Sequence, residues 1–102
     1  MPQPAQGFLT LEVTEQYRRA RAGLQAGVRN QAIARERLLF ENPAHPSLKA
    51  HQIKPDKHYW EAYVNRGDRI IYIPEGSHLV LVDIVAHDDI SRYGKRPRFF
   101  QR

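Results

Sequence analysis

Hydrophobic and polar positions alternate with a period of two residues near the start of the chain and throughout its second half. Residues 8–13 are short and alternating, which predicts a first strand. The same period predicts a short strand over residues 52–54 and three consecutive antiparallel strands within residues 59–65, 70–73 and 79–86. A turn at Pro74-Glu75-Gly76-Ser77 separates the last two strands.

Between the first strand and the others, the apolar spacing changes to steps of three and four residues. Thr14 can cap a helix whose apolar stripe consists of Tyr17, Ala20, Leu24 and Val28. We expect this helix to end at Gly27 and a second one to cover residues 28–40. Asn42-Pro43 stops the second helix because proline disfavours helical geometry in the residue before it. Two short helices joined by a glycine predict a hairpin packed on one face of the sheet.

Alternation within the strands predicts which side chains lie under the helices. Side chains on one face of the first long strand are Trp60, Ala62 and Val64, and we expect them, with Tyr72, in the core. The opposite face carries Tyr59, Glu61, Tyr63 and Asn65. The last strand has an apolar side expected under the helices, made of Val80, Val82, Ile84 and Ala86. Its other side is expected to form a mixed, partly open face with Leu79, Leu81, Asp83, Val85 and His87.

Length and composition place these elements in one small α+β domain. The chain has 102 residues, enough for a single hydrophobic core, so we expect one domain over residues 1–102 with flexible tails at 1–7 and 94–102. No apolar run approaches the roughly 20 residues that span a bilayer, and no membrane partner is expected. The absence of cysteine fits a reducing cytoplasm, where we expect the protein to act.

The charge balance narrows the class of partner. The formal net charge is +5 with a pI near 9.9, an imbalance typical of domains that bind nucleic acid, an anionic surface or an acidic protein. A surplus of surface charge that serves solubility alone is the other interpretation. Composition therefore favours an acidic partner but does not indicate which of these three kinds of partner the chain binds.

Several short motifs follow one another in a fixed order. The second helix closes on Asn42-Pro43-x-x-Pro46-Ser47-Leu48, and the strands carry Trp60-Glu61-Ala62-x-Val64, Arg69-Ile70-Ile71-Tyr72 and a terminal His87-Asp88-Asp89. In this order and spacing, over residues 8–93, the chain resembles the toxins of the RelE/ParE superfamily of type II toxin–antitoxin systems. Its last strand, which ends in a histidine, is most similar to the YafQ-like branch.

The resemblance implies a small toxin that is neutralised by a cognate antitoxin, with which it can form a hetero-oligomer. Many members cleave mRNA in the decoding site of the ribosome, so the resemblance implies an endoribonuclease that inhibits translation and needs no metal and no cofactor. Other members poison DNA gyrase. A gyrase-inhibiting toxin of the ParE type, or a non-catalytic relative that only binds an antitoxin, therefore remains as an alternative.

The same resemblance implies a set of catalytic residues. His87 matches the histidine that ends the last strand in the YafQ-like branch, and Asp68 falls where that branch has an aspartate in the preceding turn. Tyr63 stands where that branch has another histidine, and Arg69 matches the arginine that follows the turn in RelE. RelE has lysines where this chain has Glu61 and Tyr63, a difference that favours a site centred on histidine.

Cleavage of RNA requires a proton to be removed from the ribose 2′-hydroxyl, charge on the phosphate to be stabilised, and the leaving 5′-oxygen to be protonated. Histidine is the side chain best suited to proton transfer near neutral pH, which supports His87. Arginine offers a rigid fork of donors for a phosphate, which supports Arg69. The structural alternatives are a histidine packed beside a turn and an arginine paired with Glu61 or Asp68.

Basic and aromatic residues around these positions are candidates for contacts with RNA. They are Lys49, His51, Lys54, Lys57, Arg66, Arg92 and Tyr93. A metal site is a further interpretation, for which the potential ligands are His58, His78, His87, Asp88 and Asp89. Their spacing matches no metal-binding motif, so we expect no metal ion.

Overall fold

The computed structural model describes Pro4 and residues 6–94, in which five strands form one sheet. The strands are β1 (Thr10–Val13), β2 (His51–Gln52), β3 (Trp60–Tyr63), β4 (Asp68–Glu75) and β5 (His78–Ala86). The helices are α1 (Glu15–Ala22) and α2 (Ala26–Glu41), with 3₁₀ helices at Pro46–Leu48 and His87–Tyr93. We call the second of these the C-terminal 3₁₀ helix. Most of both predicted tails, residues 1–3, 5 and 95–102, lies outside the described residues.

The sheet has the strand order β1-β5-β4-β3-β2, which confirms the predicted α+β architecture. The pairs β2–β3, β3–β4 and β4–β5 are antiparallel, as expected for consecutive strands. Strand β1 lies parallel to β5 at the edge of the sheet. A parallel pair needs a long connection, and the helices together with β2–β4 supply it. No helix in the described residues is long and apolar enough to cross a membrane.

The helical hairpin has the predicted order, with one boundary displaced. Thr14 caps α1 as expected, since its hydroxyl oxygen accepts the backbone N–H of Tyr17 at 3.1 Å. The break between the helices begins at Gly23, whose N–H donates to the Arg19 carbonyl, so the predicted end at Gly27 is wrong. Gly27 lies in the first turn of α2, a position where a glycine is tolerated. Helix α2 ends at Glu41, immediately before Asn42-Pro43, as predicted.

The first hydrophobic cluster lies between the helices and the sheet. Ala62 and Val64 are buried in it and Trp60 packs against it, which confirms the predicted face of β3. The prediction for β5 is wrong over half of the strand. Leu79 and Leu81 are the side chains under the helices, while Val80 and Val82 point to the opposite face.

A β-bulge explains the inverted pattern in β5. Leu81 pairs with Tyr72 and Asp83 pairs with Ile71, so Val82 is left without a cross-strand partner. An extra residue shifts the alternation by one position, which places Ile84 under the helices as predicted. The hydrophobic pattern alone does not show the bulge because residues 79–82 and 84–86 are all apolar.

A second hydrophobic cluster fills much of the opposite face, which was expected to be mixed and partly open. It consists of Ile53, Tyr59, Ile71, Ile73, Val80, Val82, Val85 and Tyr93. Tyr93 is only 1% exposed, so the prediction that it contacts RNA at the surface is wrong. Its hydroxyl donates to Asp83 at 2.5 Å and accepts from the Gln16 amide at 2.6 Å. Burial and the contact with Asp83 raise the pKa of the Tyr93 hydroxyl above its usual range.

Removal of the Tyr93 hydroxyl is expected to destabilise the fold. In Tyr93→Phe the buried Asp83 carboxylate loses its closest partner, and the free energy of unfolding is expected to fall by about 1–3 kcal/mol. Urea denaturation followed by circular dichroism measures this difference. Tyr63→Phe is the matched control, with an expected change below about 0.5 kcal/mol, because Tyr63 is only half buried and makes its contacts through its ring. Equal stability of Tyr93→Phe and the unaltered protein would contradict a structural role for this hydroxyl.

Candidate active site

One cavity of about 200 Å³ brings together five of the eleven predicted site residues. Its lining consists of Lys49, His51, Glu61, Tyr63, Arg69 and His87. Three of the four predicted catalytic residues are among them, namely Tyr63, Arg69 and His87. Four of the six side chains are basic or contain imidazole, so the cavity suits an anionic ligand.

Strand pairing places these side chains on one face of the sheet. Glu61 lies opposite His51 of β2, and Tyr63 lies opposite Arg69 of β4. Because side chains two residues apart share a face, Glu61 and Tyr63 project to the same side of β3. The backbone N–H of His87 donates to the Gly67 carbonyl at 2.9 Å, which ties the end of β5 to the β3–β4 turn.

Glu61 lies at the centre of the cavity and contacts two basic side chains. Its carboxylate approaches His51 Nε2 at 3.2 Å and Arg69 Nε at 3.6 Å. The residue is only 8% exposed, and a carboxylate this buried requires compensating charge. Glu61 therefore holds His51 and Arg69 in fixed positions on either side of it.

His51 has a hydrogen-bond acceptor at each ring nitrogen. Nδ1 lies 2.7 Å from the Lys49 carbonyl oxygen, and Nε2 faces the Glu61 carboxylate. A carbonyl and a carboxylate accept hydrogen bonds and donate none, and the two contacts together hold the ring in one orientation. The side chain is 60% exposed and can reach a bound ligand.

Arg69 supports the turn that precedes it as well as facing the cavity. Its Nη1 donates to the carbonyl oxygens of Asn65, Arg66 and Asp68 at 2.7, 3.2 and 3.0 Å. The guanidinium carbon lies 4.6 Å from the centre of the Tyr63 ring. The ion pair with Glu61 is also present, so much of the donor capacity of Arg69 is used within the protein.

Lys49 and His87 are, like His51, exposed groups of the cavity. Lys49 has a left-handed backbone conformation, with φ of 48°, at the end of the 3₁₀ helix Pro46–Leu48, and its ammonium group lies 4.9 Å from the Tyr63 ring centre. Within the described part of the chain, the His87 imidazole has no hydrogen-bond partner, so it is free to meet a ligand.

Two of the remaining predicted residues lie close to the cavity without lining it. Asp68 begins β4, where it pairs with Ala86 and is half buried. Arg66 is exposed in the β3–β4 turn, where its carbonyl oxygen accepts a hydrogen bond from Arg69. These positions surround the site but place neither side chain in it.

The other predicted RNA contacts are further from the cavity. Lys54 lines an adjoining cavity, and Lys57 lines a separate one with His58 and Trp60. Arg92 is exposed on the C-terminal 3₁₀ helix, whereas Tyr93 is buried as described above. Among the described residues, no group of three or more His, Cys, Asp or Glu residues is placed to hold a metal ion.

The structure contains the ion pair between Arg69 and Glu61 that the sequence offered as an alternative. The contact between Glu61 and His51 was not predicted, since His51 was assigned only to RNA binding. The available signal was the alternation that puts Glu61 and Tyr63 on one face. The pairing of β2 with β3, which brings His51 opposite Glu61, needed the structure.

Comparison with known proteins gives matches at the level of structure. No family model matches the chain, and no curated protein sequence matches it. The toxin–antitoxin complex DinJ-YafQ from E. coli matches at 22% identity with a TM-score of 0.65, over 76% of this chain and 91% of that chain. The RelBE2 toxin–antitoxin complex from Mycobacterium tuberculosis matches at 14% identity with a TM-score of 0.62, over 86% and 100% of the two chains.

A third structure, the YoeB/ParE toxin from Agrobacterium tumefaciens, matches at 18% identity with a TM-score of 0.60, over 78% of this chain and 99% of that chain. The three matches cover nearly the full length of these proteins, so the likeness concerns whole domains. The chain thus has the same fold as these toxins, which is the fold that its sequence motifs predicted.

Proposed function

We propose that this chain is the toxin of a type II toxin–antitoxin pair and that it cleaves mRNA on the ribosome. The observation that carries the proposal is the single cavity in which two histidines, His51 and His87, face a ligand space together with Lys49 and Arg69. Two groups for proton transfer and two cations for a phosphate are what RNA cleavage by the neighbouring 2′-hydroxyl requires.

In this proposal the two histidines divide the two proton transfers between them. His87 has no competing partner in the described residues, so its imidazole accepts the proton of the 2′-hydroxyl. The 2′-oxygen then forms a bond to phosphorus as the bond from phosphorus to the 5′-oxygen breaks. His51, held between two acceptors, donates its Nε2 proton to the leaving 5′-oxygen. The products are a 2′,3′-cyclic phosphate and a 5′-hydroxyl.

The position of Glu61 is compatible with this role of His51. The distance of 3.2 Å between Glu61 and His51 Nε2 is long for a hydrogen bond between charged groups, which usually measures about 2.7–2.9 Å. The proton can therefore be shared with an oxygen of the substrate while Glu61 keeps the ring in place. Glu61 acts in this scheme as a positioning residue.

Charge on the phosphate is stabilised by Lys49 and by the face of Arg69 that borders the cavity. Lys49 is exposed and close to the Tyr63 ring, so its ammonium group can reach a phosphate oxygen. The ring of Tyr63 lies beside the charged groups of Lys49 and Arg69. In this scheme it packs against the ribose or the base of the substrate. No step in this scheme requires a metal ion or a cofactor.

The proposed partner is a cognate antitoxin protein. Two of the structural relatives are toxin–antitoxin complexes, DinJ-YafQ and RelBE2. The net charge of +5 on this chain suits an acidic partner. Co-expression of a short neighbouring reading frame is expected to restore growth to cells that make this chain, and failure of any such frame to do so would contradict the pairing.

Primer extension on ribosome-bound mRNA tests the activity directly. The purified chain is expected to produce discrete cuts within the codon of the decoding site, and the same mRNA without ribosomes is expected to stay intact. Intact mRNA in both reactions would contradict the proposal. If induction in cells instead triggers a DNA-damage response while mRNA stays intact, the chain is a gyrase-directed toxin.

Lys49 provides a separate test of the phosphate contact. Lys49→Ala is expected to lower the rate of cleavage at subsaturating ribosome concentration by about tenfold, because a hydrogen bond to a charged group is lost. Arg37→Ala is the matched control, since Arg37 is an exposed basic residue of α2 that does not line this cavity, and its rate is expected to stay within about twofold of the unaltered protein. Equal effects of the two substitutions would assign Lys49 to general surface charge.

A further inference from the structure

A second, larger cavity of about 440 Å³ adjoins the candidate active site. The two cavities share His51 and Glu61, so they meet at these side chains. His87 lines only the active-site cavity, whereas Ile90 and Ser91 line only the second one. A ligand bound at the two histidines can therefore extend past His51 into the second cavity.

The walls of the second cavity combine apolar and polar groups. Ile53 is buried and Ile90 is half buried, and they provide apolar surface. Ser91 adds a hydroxyl that donates and accepts hydrogen bonds, and Gln52 adds an amide whose nitrogen already donates to the Lys57 carbonyl oxygen at 3.4 Å and whose oxygen can accept. A nucleobase has two apolar faces and an edge of donors and acceptors, so this lining matches its chemistry. The volume lies in the range of about 300–1,000 Å³ that is common for pockets of small ligands.

We propose that this cavity binds the base of the nucleotide on the 3′ side of the cleaved phosphate. The inference rests on the proposed endoribonuclease function and adds to it a base-reading subsite. His51 is the group that protonates the leaving 5′-oxygen, and that oxygen belongs to the nucleotide on the 3′ side. Because the second cavity opens beside His51 and away from His87, the base of this nucleotide is the part of the substrate that reaches it.

The C-terminal 3₁₀ helix runs from one cavity to the other. It begins at His87 in the active site and carries Ile90 and Ser91 to the second cavity. Its far end is anchored by the buried Tyr93 and by Gly94, whose carbonyl accepts the Asp56 N–H at 3.3 Å. A Cβ atom at Gly94 would collide with the carbonyl oxygen of Lys54, so the helix lies directly against the loop before β3. The subsite is therefore formed before the substrate binds.

Sequencing of cleavage products tests this subsite. The unaltered protein acts on ribosomes that carry mRNAs randomised in the codon of the decoding site, and the ends of the fragments give the base preference on each side of the cut. Gln52→Ala and Ser91→Ala are each expected to reduce the preference for the favoured base on the 3′ side by about threefold to tenfold, the effect of one lost hydrogen bond. The preference on the 5′ side is expected to stay unchanged.

Arg37→Ala again serves as the control, since Arg37 is an exposed residue of α2 that lines neither cavity, and its preferences are expected to match those of the unaltered protein. Neither Gln52 nor Ser91 belongs to a buried cluster, so both variants are expected to fold. Three results would overturn the subsite but not the endoribonuclease. They are variants with an unaltered base preference, variants with a change only on the 5′ side, and an unaltered protein with no base preference on the 3′ side. Absence of cleavage by the unaltered protein overturns the endoribonuclease itself, and the subsite with it.

Discussion

Replacement of His87 by alanine is expected to reduce the cleavage of ribosome-bound mRNA by about 10²–10⁴-fold, because the reaction loses the group that accepts the 2′-hydroxyl proton. His87 is exposed and its side chain has no hydrogen-bond partner among the described residues, so the fold is expected to keep its stability within about 0.5 kcal/mol. Single-turnover rates on programmed ribosomes measure the first effect, and urea denaturation measures the second. Growth arrest after induction is expected to disappear in the same variant.

His58→Ala is the matched control for this substitution. His58 is also a histidine, but it borders the cavity lined by Lys57 and Trp60 rather than the candidate active site. Its cleavage rate is expected to stay within about twofold of the unaltered protein. If His87→Ala still cleaves mRNA at the normal rate, His87 is a histidine packed at the end of a strand and the catalytic role is wrong.

Replacement of Glu61 by glutamine is expected to lower kcat by about 10–100-fold and to leave KM within about threefold of its normal value. The amide keeps the size of the side chain but no longer offers two anionic oxygens to His51 and Arg69. The imidazole of His51 is then poorly held, and displacement of a reacting group by about 1 Å can cost on the order of 10²-fold in rate. Substrate contacts through Lys49 are preserved, which is why KM is expected to change little.

The split between kcat and KM separates positioning from simple electrostatics. Glu61 is an anion in a site proposed for an anionic substrate, so removal of its charge would favour binding if charge repulsion were its only effect. A lower KM with an unchanged or higher kcat would show that outcome and would contradict the positioning role. Glu75→Gln, in the cavity that also contains Lys57, controls for general effects of carboxylate removal and is expected to leave both constants within about twofold.

The order of elements could be predicted because each boundary has a local cause. Thr14 caps the first helix, Pro43 stops the second, and alternating residues define β3. The bulge at Val82 could not be predicted, since residues 79–82 and 84–86 are all apolar and give no sign of an inserted residue. The second hydrophobic cluster includes Tyr93, whose hydroxyl donates to Asp83. Asp83 lies ten residues earlier in the chain, so no local pattern indicates this contact.

In the candidate site too, residues within recognisable motifs could be predicted, whereas contacts between distant parts of the chain could not. His87, Arg69 and Tyr63 were found through motifs on neighbouring strands, and the structure brings all three to one cavity. The contact between Glu61 and His51 was missed because the predicted strand over residues 52–54 left out His51, which begins the two-residue strand β2 and is separated from β3 by a loop. Periodicity cannot give the pairing register of so short a strand, and the register alone decides that these two side chains meet.

The chemistry of the fragment ends tests the central claim most directly. Cleavage by the 2′-hydroxyl with two histidines as proton carriers predicts a 2′,3′-cyclic phosphate on the upstream fragment and a 5′-hydroxyl on the downstream fragment. Both ends can be identified by ligation and phosphatase treatment of mRNA recovered from ribosomes exposed to the purified chain. Fragments with these two ends are the expected result. Fragments that carry a 5′-phosphate, or mRNA that remains uncut while cells that produce the chain stop growing, would contradict the account.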